Sequence, residues 1–310
     1  MRLRPILVFI AFSMPQAMLA CGARTGLLVP YPTDAEVQPD VHQHEAGPDV
    51  VDDDAPEFPP LDAAVHDVYT LDCPPETFIY VVATDNSLLR FDPPSATFTK
   101  IATLDCIPNN TGPHPFSMAV DRKTTAYVEY DNGQIFQVST IDGSCQTTPY
   151  LANADPPFSN FGMGYATIGF GPAEQLFISA DAPGELGMID TVNAFAVDPV
   201  AIIQPEISWG ELTGSGDGRL YTYYSFGFSG GSYVAELDKT SGAILGQDYL
   251  PTVDRGLGWA FAYWGGDFYI FANPSVQNTW YYSPATKQAN IVAHYSAPIV
   301  GAGVSTCAPQ

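Results

Sequence analysis

Between residues 78 and 304 the chain is written in short apolar and aromatic runs, separated by Gly, Pro, Asp and Asn. No apolar stripe at 3.6-residue spacing with capping residues at its ends is found in this stretch. The runs have strand length, and their aromatic and β-branched content suits a pleated surface. One phrase recurs as FIYVVAT, TAYVEYD, QLFISAD, RLYTYYS and DFYIFAN, with aromatic anchors at Tyr80, Tyr127, Phe177, Tyr221 and Tyr269. The anchors are spaced by 47, 50, 44 and 48 residues. A second phrase follows each anchor: LLRFD, QIFQVS, LGMID, VAELD and TWYYS, ending at Asp92, Ser139, Asp190, Asp238 and Ser283. Two strand signals in fixed order, repeated at this period, predict an all-β propeller of five four-stranded blades.

A third phrase, rich in small residues, precedes the anchor in four repeats: FSMAVD, ATIGFG, ELTGSG and AFAYWG. The first repeat lacks it, and the missing piece stands at the other end of the chain as residues 300–305, VGAGVS. Pairing that strand beside residues 77–84 completes the first blade and closes the ring, which removes the open edges that invite aggregation.

The N-terminus has a different character. Arg2 and Arg4 precede an almost uncharged apolar segment, residues 6–19, too short for a membrane span and laid out as an export signal. Met18-Leu19-Ala20-Cys21 follows. This stretch resembles the lipobox of bacterial lipoproteins, which implies that residues 1–20 are a signal peptide and that Cys21 carries the acyl chains, palmitate among them. In that family a non-acidic residue after the cysteine, here Gly22, goes with delivery to the outer membrane. Each buried methylene contributes about 0.8 kcal/mol, so several chains anchor a protein without a transmembrane helix. Residues 21–72 then read as a disordered tether rich in Pro and Asp, with no Lys or Arg between Arg24 and Arg90. Such a segment buries too little apolar surface to offset its ordering entropy. Asp52, Asp53, Asp54, His42 and His44 read as solvated low complexity, since a loose segment holds no metal geometry. Lipobox, acidic tether and divergent repeats together resemble surface lipoproteins of myxobacterial type. Residues 73–310 form the propeller.

With Cys21 assigned to lipid, Cys73, Cys106, Cys145 and Cys307 remain for an oxidising compartment. Of the three possible connectivities, ring closure selects Cys73–Cys307 across the seam and leaves Cys106–Cys145 to tie the first blade to the second.

Chemistry is sparse. A formal net charge of −23 excludes nucleic acid as a partner. Gly227-Phe228-Ser229-Gly230-Gly231 has the form of a nucleophile elbow but lies in a glycine-rich hairpin rather than a strand-to-helix turn. His114 and His294 each stand alone, so neither a zinc site nor a Ser-His-Asp triad is expected. Five-bladed glycosidases place carboxylates near the axis; Glu211, Asp121 and Asp217 are the matching candidates here, and the set is incomplete. Asp85-Asn86, Asp131-Asn132-Gly133 and Asp217-Gly218 read as turns rather than calcium ligands. The aromatic group Trp209, Trp259, Phe261, Tyr263 and Trp264 lies on or beside inner strands, where it serves either inter-blade packing or a ligand platform. Two functional classes follow. One is a lipid-anchored, non-catalytic binding or scaffolding module for a carbohydrate, peptide or protein, with Trp209, Trp259 and Trp264 as the contact residues and no cofactor. The other is a propeller hydrolase or lyase built on divergent axial carboxylates.

Overall fold

The computed structural model describes residues 73–107, 112–150, 158–169, 171–226, 231–256, 258–272 and 277–310. The expected signal peptide, Cys21, the acidic tether with His42, His44 and Asp52 to Asp54, and Gly227 to Gly230 lie outside the described residues. Those described contain twenty strands and no helix.

The strands form five antiparallel sheets of four. β1 (Ile79–Ala83), β2 (Ser87–Asp92) and β3 (Thr97–Thr103) belong to the first blade; β4 (Pro115–Val120), β5 (Thr125–Tyr130), β6 (Ile135–Ser139) and β7 (Cys145–Thr147) are the second. The third comprises β8 (Phe161–Thr167), β9 (Glu174–Ala180), β10 (Glu185–Asp190) and β11 (Ala196–Ile202). The fourth comprises β12 (Glu211–Gly214), β13 (Leu220–Tyr224), β14 (Ser232–Leu237) and β15 (Ile244–Leu250). The fifth is β16 (Trp259–Trp264), β17 (Asp267–Ala272), β18 (Gln277–Ser283) and β19 (Gln288–Tyr295). β20 (Ile299–Val304) then pairs with β1, from Ile79 opposite Val304 to Ala83 opposite Ile299, and completes the first blade. The architecture is a five-bladed β-propeller closed by its last strand.

Five hydrophobic clusters fill the five junctions between neighbouring blades, and each aromatic anchor sits in a different one: Tyr80, Tyr127, Phe177, Tyr221 and Tyr269. The repeat period is therefore the period of the core, because the anchor ring recurs at the same strand position in every junction, where large side chains fill the wedge between sheets. Fourth strands carry mostly exposed residues, as β3, β11 and β19 illustrate.

At the axis, β20, β4, β8, β12 and β16 stand side by side, and glycine sets how near they come. A Cβ on Gly301 would fall 2.7 Å from the Met118 amide nitrogen, and one on Gly162 would fall 2.6 Å from Glu211 Cα. Gly303 meets Val120 as Gly301 meets Met118, and Gly164 meets Thr213 as Gly162 meets Glu211, so neighbouring inner strands run parallel. Their first residues all open on one face of the ring.

Both expected disulfides are present, Cys73–Cys307 with 5.6 Å between Cα atoms and Cys106–Cys145 with 5.2 Å. One expected inner strand is displaced. The third blade begins at Phe161 rather than within ATIGFG, and Ile168, Gly169 and Gly171 of that phrase lie beyond the end of β8. The glycines that approach β12 are Gly162 and Gly164, upstream of the phrase that composition favours.

Candidate ligand-binding mouth

On the face where the inner strands begin, a narrow slot lies among Phe116, Phe161, Ser179, Asp181, Trp209, Glu211 and Trp259. Its cavity volume is about 10 Å³, the room that one water-sized group requires.

Trp209 enters the slot from the link between β11 and β12. Its φ is +58°, a left-handed conformation that costs energy for a bulky side chain. The Trp209 amide donates to the Asp181 carbonyl at 2.9 Å, which holds that conformation in place. The next residue must be small, because a Cβ on Gly210 would fall 2.7 Å from Thr222 Oγ1 and 3.3 Å from Ser179 Oγ. Trp259, first residue of β16, meets Trp209 edge to face, with ring centroids 6.4 Å apart and planes at 82°. The Arg255 guanidinium lies 4.0 Å from the centre of the Trp259 ring. Both indoles are only partly buried.

Beneath the rings lie carboxyl groups. Glu211, 5 % exposed, accepts from Ser117 Oγ at 3.0 Å through Oε2 and also from the Met163 amide. Glu129 on β5 is fully buried and accepts the Phe161 amide at 3.2 Å through Oε2, while its Oε1 has no hydrogen-bond partner. Burial pushes both carboxyls well above the usual carboxylate range. For Glu129 the charges of Glu211 and Asp181 add to the rise. Among the described residues no ion pair joins Glu129, Glu211 or Asp181 to a cation, and no three acidic, histidine or cysteine groups are placed to hold a metal. Ser179, 1 % exposed, lines the slot with an Oγ that has no partner.

The sequence candidates are thereby sorted by place. Trp209, Trp259 and Glu211 come together at this mouth. Trp264 ends the same strand that Trp259 begins, about five residues or roughly 17 Å along it. Its indole donates to Thr77 Oγ1 at 3.2 Å and packs in the junction between the fifth and first blades. Asp121 and Asp217 lie at the opposite ends of their inner strands, in turns. Asp121 accepts the Thr125 amide at 2.8 Å. Burial works against the charge of Asp217, but the Ser215 hydroxyl and Arg219 outweigh it and hold the carboxyl below its ordinary value. Asp85 accepts the Ser87 amide two residues on, as a turn residue does, whereas Asp131, also in a turn, accepts the His114 amide from just before the neighbouring strand β4. Phe261 and Tyr263 are buried in the junction between the fourth and fifth blades.

Glu129, Ser179 and Asp181 are not among the sequence candidates. The repeats themselves carry a signal for them: two residues after the aromatic anchor stand Val82, Glu129, Ser179, Tyr223 and Phe271, and the acid is out of place in that column. Four residues after the anchor of the third repeat stands Asp181.

No family model matches the chain, and no curated protein matches it. Solved structures that resemble it include a glutaminyl cyclase from Myxococcus xanthus, with 13 % identity over 69 % of this chain and 95 % of that one, at a TM-score of 0.42. A protein of unknown function from Bacteroides caccae shows 9 % identity over 74 % of this chain and 98 % of its own, at 0.40. A chain of a mitotic checkpoint complex shows 14 % identity over 71 % of this chain, at 0.38; the match spans 61 % of that chain's length. None of the three bears on the ligand or the chemistry of the mouth.

Proposed function

We propose that the protein is a non-catalytic binding module, lipid-anchored through Cys21 in the outer membrane, whose ligand is taken at the mouth where the inner strands begin. The observation that carries this reading is Trp209: a bulky residue held at φ +58° so that its ring meets Trp259 above Ser179 and Glu211. Strain of this kind persists only where surrounding structure imposes it, and it concentrates at ligand-contacting positions. The ring of inner strands supplies a rigid frame, so little ordering is needed on binding.

Acid–base hydrolysis is the weaker reading. It needs one carboxyl protonated and another ionised, each in contact with substrate. Glu129 and Glu211 are both pushed toward the neutral acid by burial, beneath a slot that admits one water-sized group.

Thermal-shift screening of the full-length protein against cellotriose, chitotriose, trialanine and trilysine tests the reading. A stabilising compound whose effect disappears in Trp209→Ala and persists in Trp264→Phe supports it. A screen in which every response survives Trp209→Ala and Trp259→Ala overturns it.

A further inference from the structure

The binding reading leaves open what enters the slot, and its walls narrow the choice. We infer that the slot receives the primary ammonium head of a ligand, seated between the rings of Trp209 and Trp259 and the oxygens of Ser179, Asp181 and Glu211; the inference rests on the mouth being a binding site.

Size is the first constraint. About 10 Å³ admits one group as large as a water, which an –NH₃⁺ head matches and a sugar ring or trimethylammonium group exceeds. Hydrogen bonding is the second. An ammonium carries three donors and no acceptor, and the oxygens of Ser179, Asp181 and Glu211 can accept them, with the Trp259 indole N–H as the unpartnered donor of the lining. Ser179 Oγ is buried and unpartnered, Asp181 and Glu211 add carboxyl oxygens, and Glu129 Oε1 lies unpartnered behind the Phe161 amide. Charge is the third. Asp181 and Glu211 line the slot and Glu129 lies within charge range of both, with no ion-paired cation among the described residues, on a chain of net charge −23 that raises the local concentration of cations. The faces of indole rings, negative in their quadrupole, complete a seat for a positive head. The Arg255 guanidinium stacks on Trp259, and Tyr223 and Asp254 act on its charge.

A proton balance follows. Burial favours the neutral acids, whereas an ammonium favours a carboxylate, so its entry expels a proton from the Glu129 and Glu211 pair into solvent. The other ionisable side chains near Glu211 are Glu129, Asp181 and Tyr223, which stands opposite it on β13 and is itself acted on by Arg255. An alkylammonium stays protonated below about pH 9, as lysine does, so affinity for it rises with pH, about tenfold per unit while one proton is released.

The test is calorimetric titration of the full-length protein with n-butylammonium chloride and with 1-butanol, at pH 5.5 and 7.5, in buffers of different ionisation enthalpy. Expected are saturable binding of the ammonium at least tenfold tighter than of the alcohol, proton release, and tighter binding at pH 7.5. Asp181→Asn and Glu211→Gln should each weaken it at least tenfold, and Trp264→Phe should leave it unchanged. Asp181 is half-buried, so Asp181→Asn remains informative if the Glu211 variant does not fold. Spermidine and the capped peptide acetyl-Gly-Lys-Gly-amide identify the source: tighter binding of the peptide assigns a protein lysine, and tighter binding of spermidine assigns a free polyamine. Equal binding of butanol and butylammonium, or pH-independent binding without proton release, overturns the ammonium assignment. If both fail while an oligosaccharide still binds in a Trp209-dependent manner, the ammonium assignment falls and the binding mouth stands. If nothing binds in a Trp209-dependent manner, both fall.

Discussion

Gly162 on β8 faces Glu211 on β12 with no room for a side chain: a Cβ on the glycine would fall 2.6 Å from Glu211 Cα. The distance between the two strands, and with it the width of the slot, is set by this absence of atoms. Gly162→Ala must therefore push β8 from β12 or distort both. Overpacking of this kind costs about 1 to 3 kcal/mol, and more where the obstacle is backbone. Gly246→Ala on the outer strand β15 meets nothing within 4 Å and serves as the control. Chemical denaturation should show the first variant destabilised by at least about 2 kcal/mol and the second within about 0.5 kcal/mol of wild type. Equal midpoints would show that the inner ring is looser than described.

The two disulfides close loops of very different length, 234 and 39 residues. In the chain-entropy account the longer closure contributes about 5 kcal/mol and the shorter about 4. Cys73→Ser with Cys307→Ser should therefore lower stability more than Cys106→Ser with Cys145→Ser. Removing residues 300–310 should go further and abolish cooperative unfolding, because the segment holds nearly all of the inner strand β20 and Cys307 just beyond it. A truncated chain with a single sharp thermal transition near the wild-type temperature would refute the closure.

What the sequence discloses of this fold is what the core repeats. An anchor ring at the same place in every junction makes the blade period visible, and strands β1 and β20, far apart in sequence, supply complementary fragments of one blade. The outer strands escape notice because they face solvent and need no apolar pattern. β8 is misplaced by composition because small residues on both sides of its end, Ala166 to Gly171, suit an axial strand equally well, and only proximity to β12 decides. At the site, Trp209 and Trp259 are fifty residues apart in sequence yet meet, whereas Trp259 and Trp264 are sequence neighbours at opposite ends of one strand. Glu129 is hidden inside an otherwise apolar strand, where only comparison among the repeats marks it.

Lipid attachment is a proposal on residues outside the described part of the chain. Metabolic labelling with a palmitate analogue should mark the wild-type protein and leave Cys21→Ser unmarked, with the latter released from the membrane fraction. Equal labelling of the two would remove the anchor from the proposed function.

Buried Glu129 makes the stability of the fold depend on pH in a predictable direction. Its carboxyl is raised in the folded protein well above the ordinary 4.5, chiefly by desolvation. The folded state thus holds a proton that the unfolded chain releases, and unfolding becomes more favourable as pH climbs. The contribution from this group is fully present below about pH 4 and is lost as pH rises toward the folded value, about 1.4 kcal/mol for each unit of displacement. Asp142, Asp190 and Asp238 are lowered instead, the last to about 2, so their opposite effect falls below pH 4 and leaves the higher range to the buried acids. Glu129→Gln isolates the term. The amide oxygen can still accept the Phe161 N–H, and the amino group takes the position of Oε1, which has no partner to lose. Thermal unfolding should find the variant close to wild type at pH 4.5 and more stable by at least about 1 kcal/mol at pH 8. A wild-type melting curve that does not move between pH 5 and 8, or a Glu129→Gln variant with an unchanged pH slope, would show that Glu129 reaches solvent and is ionised in the folded protein.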